Sequence, residues 1–261
     1  MPMPMLADFA LRLAGGLAAL LLLTPWRKVP PSFFRTHCLV ILGLLVLAGL
    51  DASRAGVGGA VLAAVVAPAA LSYAAAVAWG LGLPGLGVPV TALVVLACVG
   101  DLIAVSRAAD AGLWALNASG RLASAFLLGS TLTAMLLGHH YLTAPAMSID
   151  PLRRFVRCVG WGLGVRAALA AAGLGWWAWG APTGVPSATV SPLFLGVRWG
   201  MGLLGPAVAA FMTWKTVEIR STQSATGILY IAMTLVLFGE LTALVLTREA
   251  GVIFCARPGD N

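Results

Sequence analysis

The chain has 261 residues, of which 60% are hydrophobic and only 10% charged, with a formal net charge of +7. Soluble domains carry roughly 25% charged residues, so a soluble enzyme or binding module of ordinary composition is excluded and a polytopic membrane protein is implied. The positive charge comes from 14 Arg and 2 Lys scattered through turns and helix ends. A nucleic-acid binder would gather such residues on one polar face, so no nucleic acid is expected as a partner.

A bilayer core about 30 Å thick takes roughly 20 residues of apolar helix. Eight stretches suit that length: about 6–26, 34–51, 57–80, 87–107, 113–142, 152–179, 189–214 and 224–247. The sequence therefore predicts an all-α, polytopic bundle of about eight transmembrane helices, a single domain over 1–261. Continuous apolar runs do not show the alternation of barrel strands. The first stretch lacks a basic n-region and a small-residue cleavage site, and Arg12 interrupts it. It is expected to be a retained span, not a signal peptide. Turn chemistry separates the stretches: "PWRKVPPS" after the first, "GLPGLGVP" after the third, "GAPTGVPSATVSP" after the sixth. No internal repeat is evident along the chain.

The segment "GHHYLTAPAMSIDPLRR" (138–154) follows the fifth stretch. Pro145 is expected to end that helix, because proline cannot continue the hydrogen-bond ladder. Asp150 and Pro151 read as the N-cap and first residue of the sixth. After the seventh stretch, Ser221 or Thr222 is a plausible N-cap for the eighth. Lys215 and Glu218 form an i, i+3 pair there. The four cysteines, Cys38, Cys98, Cys158 and Cys255, are far apart and predict neither a zinc site nor a disulfide framework.

With eight spans, alternate loops share a side. One side carries eight Lys or Arg (Arg27, Lys28, Arg35, Arg153, Arg154, Arg157, Lys215, Arg220), the other four (Arg54, Arg107, Arg248, Arg257). The positive-inside rule then predicts a bacterial-type inner-membrane protein with both termini outside the cytoplasm.

Charges inside spans are expensive and mark partners, pathways or ligands. Counted from the helix ends at 1.5 Å per residue, Asp101, Glu240, Arg12, Arg121, Arg166 and Arg198 all fall in the outer half of the bilayer. The counted layer holds four Arg and two carboxylates. Asp101 and Glu240 are expected each to pair with one of Arg121, Arg166 or Arg198, while Arg12 snorkels to the interface. A surplus of guanidinium suits a carboxylate or phosphate ligand.

A second set lies near the cytoplasmic side: His37, His139, His140 and Tyr141. His37 and His139 are expected at one depth on different helices, where they could frame a quinone or ligate haem b; interfacial histidines bonded to loop carbonyls are the plainer account. His139 is five turns from Arg121, so a stripe through Ser124, Leu128 and Met135, with Thr131 at its edge, is expected to link the two sets and turn His139 inward. Soluble-type catalytic motifs (GxSxG, HExxH, a P-loop, GxGxxG after a strand) are absent from the sequence.

The leading expectation is a membrane subunit of a redox or energy-converting respiratory-type complex, contacting quinone or haem and packed among other membrane subunits. The alternative is a transporter of a small anionic solute, with Arg121, Arg166 and Arg198 binding and Asp101 or Glu240 coupling protons. A structural anchoring subunit is the third reading.

Overall fold

A computed structural model of the chain describes residues 3–109, 114–143, 147–180, Leu193 and 196–249. The helices are α1 (Met5–Leu23), α2 (Pro31–Arg54), α3 (Gly59–Gly80), α4 (Pro84–Ala109), α5 (Trp114–Thr143) and α6 (Asp150–Gly180). A π-helical segment, π1 (Val197–Leu204), then runs directly into α7 (Gly205–Glu218), and α8 (Thr222–Glu249) follows. Among the described residues, seven helices are long and apolar enough to cross a membrane. The remaining one is π1 and α7 together, eight and fourteen residues long. The protein is an all-α helical bundle of membrane-spanning type. Pro145 and Cys255 lie outside the described residues, as does any beginning of the seventh span before Leu193.

Polar and apolar groups are distributed as lipid demands. Leu50, Val61, Leu96, Phe211 and Phe238 lie exposed on outward faces, whereas Asp8, Arg198 and Glu240 are 3%, 2% and 1% exposed. With no water beside the spans, each helix meets its backbone hydrogen-bond needs internally, and charged side chains turn to one another inside the bundle.

The packing order resolves into two rings of four. In the first, α1 packs on α2, α2 on α3, α3 on α4, and α4 back on α1. In the second, α5 packs on α6, α6 on α7, π1 and α7 on α8, and α8 back on α5. The rings join through α1 against α5, assisted by α4 against α5. Helices α1 and α5 run parallel, since Arg121 meets Asp8 while Gly129 meets Gly16 farther along both chains.

Matching residues occupy matching positions in the two rings. Arg12-Leu13-Ala14 and Arg121-Leu122-Ala123 begin at the eighth residue of α1 and of α5. Pro31 and Cys38 of α2 answer Pro151 and Cys158 of α6. Pro68 and Tyr73 of α3 answer Pro206 and Phe211 of α7, and Gly100-Asp101-Leu102 of α4 answers Gly239-Glu240-Leu241 of α8. The two halves therefore share helix number, packing order and a few residues at matching positions. In the sequence alone these matches are few, and the connecting loops differ in length and composition.

Two glycine crossings set the depth of packing. A Cβ on Gly16 would lie 1.8 Å from the Ala125 carbonyl oxygen, and one on Gly129 would lie 2.2 Å from the Gly16 carbonyl carbon. The centre of the bundle is thus a backbone-to-backbone contact that only small residues permit. A second crossing joins π1 to α8, where a Cβ on Gly239 would fall 2.1 Å from the Gly202 Cα.

Candidate functional site

The first charge cluster forms where α1 enters the bundle. Asp8 and Arg12 lie one turn apart, and Arg12 donates from Nε and Nη2 to the Asp8 carboxylate at 3.1 and 2.6 Å. Arg121 reaches the same carboxylate from α5 at 3.3 Å and donates to Ser106 Oγ on α4 at 3.2 Å. Asp51, near the end of α2, accepts from the Ala7 amide at 2.9 Å. That amide belongs to the first turn of α1, where backbone N–H groups lack intrahelical partners and favour negative charge. Arg12 is 8% exposed; it binds inside the bundle and does not snorkel outward.

The second cluster gathers around Glu240 of α8, next to α5. Arg166 of α6 grips Glu240 of α8 in a two-pronged contact, Nε to Oε1 at 2.9 Å and Nη2 to Oε2 at 2.7 Å. Ser124 of α5 donates to Oε2 at 2.6 Å. Arg198 of π1 contributes Nη1, 3.2 Å from Oε1 and 3.4 Å from the Gly239 carbonyl oxygen. Three elements around α8 thus converge on one carboxylate.

The π-helical register has a local cause and a local effect. Pro206 has no N–H to offer the preceding turn, and the Gly205 amide bonds to the Gly200 carbonyl, five residues back. Such wide turns mark functional sites more often than chance. Here the segment carries Arg198, and the Gly202 to Gly239 crossing brings that guanidinium against Glu240.

Asp101 is the exception to the pairing expected from sequence. No ion pair is found for it among the described residues, and its Oδ2 is buried without a hydrogen-bond partner. The two rings differ here. Glu240 draws its arginines from α6 and π1, whereas the matching positions in α2 and α3 are Val46 and Ala60. Arg121, expected near Asp101 or Glu240, pairs with Asp8 instead. Asp8 and Asp51 were missing from the sequence-based count. With them the layer holds four arginines and four carboxylates, and each cluster sets two arginines on one carboxylate: Arg12 and Arg121 on Asp8, Arg166 and Arg198 on Glu240.

The histidines part company. His139 is exposed, with its Nδ1 3.5 Å from the Tyr230 hydroxyl on α8. The expected inward turn of His139, and its meeting with His37, do not occur. His37 is buried; its Nδ1 lies 2.6 Å from the Phe33 carbonyl oxygen, and its Nε2 has no hydrogen-bond partner. His140 is the histidine that approaches it, because both rings pack on Phe33, at centroid distances of 3.8 Å for His37 and 5.7 Å for His140. Tyr141 is buried and donates to the Ser148 carbonyl, closing the α5 to α6 turn.

No protein-family model, curated protein or solved structure matches the chain. Among the described residues, no group of three or more His, Cys, Asp or Glu could hold a metal ion.

Proposed function

We propose that this protein is a membrane carrier for a small anionic solute, with Arg166, Arg198 and Glu240 at the core of its binding layer. The observation that carries the reading is two arginines sharing one bonded carboxylate, at 7%, 2% and 1% exposure. An unbalanced buried charge is costly, and a carboxylate or phosphate matches the guanidinium fork. Ser124 ties the cluster to α5, the helix on which the two rings meet. Asp101, without an ion pair among the described residues, is the carboxylate suited to couple a proton.

A bacterial-type inner membrane, both termini outside the cytoplasm, and neighbouring membrane subunits belong to this proposal. The redox reading drew on His37 and His139 meeting at one depth. With His139 turned outward, it retains the His37 and His140 approach around Phe33. A quinone or haem b there is the lesser alternative.

The test is thermal unfolding of the purified protein in acetate or inorganic phosphate, against chloride at equal ionic strength. A ligand at ~100 times its Kd stabilises the folded state by about 2.7 kcal/mol. The wild type should gain stability in one of the two anions, and Arg198→Gln should not. Equal unfolding in all three salts would leave the cluster as packing alone, the anchoring-subunit reading.

A further inference from the structure

The two rings differ at one corner. Helix α2 packs extensively along α3, whereas the matching pair, α6 and α7, touches less. In the first ring, Ser72 Oγ donates to the Cys38 carbonyl at 2.7 Å, and the Arg35 side chain lies over Gly80. The matching residues in the second ring are Ala210 and Cys158, then Phe155 and Glu218. The hydroxyl that ties the first pair together has no counterpart in the second.

The opening is a groove of about 750 Å³ on the lipid-facing side of α6 and α7. Its walls are aromatic: Trp161, Trp199, Phe211 and Trp214. Its floor includes Gly160 and Gly164, where an added Cβ would meet nothing within 4 Å among the described residues. In close helix packing such glycines admit a neighbour's backbone; here they face open space. One charged residue, Arg157, lines the groove, and no ion pair is found for it among the described residues. It lies about two turns into α6, roughly 10 Å from Asp150 at 1.5 Å per residue, the depth at which long basic side chains reach the headgroup level.

We propose that this groove is a binding site for one anionic phospholipid, with an acyl chain between α6 and α7 and the phosphate on Arg157. Charge complementarity selects this occupant. An apolar cleft with a cation at its mouth, on the side richer in Arg and Lys, suits a negatively charged lipid. A partner helix would have to bury Arg157 without a counter-charge. The site is separate from the Arg166, Arg198 and Glu240 cluster and stands or falls independently of the carrier reading.

The test uses the full-length protein in detergent, titrated with phosphatidylglycerol or phosphatidylcholine, and reads thermal unfolding together with lipid retained in native mass spectrometry. Phosphatidylglycerol should raise the unfolding midpoint by several degrees more than phosphatidylcholine, with one molecule retained per chain. Arg157→Gln should abolish the difference between the lipids. Gly164→Leu, which fills open space, should abolish retention without lowering the lipid-free midpoint. If Gly164→Leu fails to fold, Gly160→Leu makes the same test. Equal response of the wild type to both lipids, retention undiminished in the filled variants, or a dimer holding no lipid would each overturn the proposal.

Discussion

Glu240 is the residue on which the second ring closes, since side chains from α5, α6 and π1 all end on its carboxylate. Removing one partner of a buried ionic set commonly costs about 3–5 kcal/mol, because the stranded charge remains. Glu240→Gln should lower the unfolding midpoint markedly, and Asp8→Asn should do the same by stranding Arg12 and Arg121. Thermal unfolding in detergent checks both, and wild-type stability in either variant would refute the pairing. The histidines give an opposite pair of expectations. His37→Ala should destabilise, since that ring is buried against Phe33; His139→Ala should be neutral, since it is exposed. Asp8 had a signal in the sequence, an acid one turn before Arg12 on a helix. It sits near the end of the first span, where a charge costs little. The arginine level itself was legible from helix length alone, because the rise per residue is fixed.

At the level of elements, eight helices could be read from apolar runs punctuated by proline and glycine. Which face of each helix turns inward could not. Helix α5 is contacted by α1, α4, α6 and α8, so it has no single inner stripe. Arg121 faces the first cluster while Ser124, less than one turn later, faces the second. Extrapolating such a stripe over five turns sent His139 to the wrong side. The glycine crossings yield sharper expectations. Gly16→Val should block assembly, because its Cβ would overlap the Ala125 carbonyl, whereas Gly43→Val should be tolerated in open space. Yield of folded protein by size exclusion separates the two. Pro206→Ala should restore an amide donor to the preceding turn and favour ordinary α-helical register there. One residue is about 100° of rotation, so Arg198 would swing away from Glu240. That variant should keep its fold and lose anion-dependent stabilisation; unchanged stabilisation would mean that the π register has no part in the site.

For the whole molecule, the shared packing order of the two rings is the feature least legible in the sequence. Four short matches spread over two halves do not rise above the background of an Ala, Leu and Gly-rich chain, and they become visible when the packing order pairs the helices. If all eight helices cross the bilayer in alternate directions, as proposed, residue 148 is opposite both ends of the bundle. A reporter fused after Asn261 should behave as external and one inserted at Ser148 as cytoplasmic; matching sidedness would contradict the eight-span arrangement. Between the halves, the Gly16 to Gly129 contact lies about two turns along both helices from the Asp8 and Arg121 pair.

Uptake of radiolabelled acetate and inorganic phosphate into proteoliposomes tests the carrier reading most directly. The wild-type protein should give saturable uptake of at least one of these anions, accelerated by an inward proton gradient. Arg166→Gln should reduce it by tenfold or more, and Asp101→Asn should remove the dependence on the gradient. Uptake of both anions at the rate of protein-free vesicles, with the protein folded and correctly inserted, would contradict it.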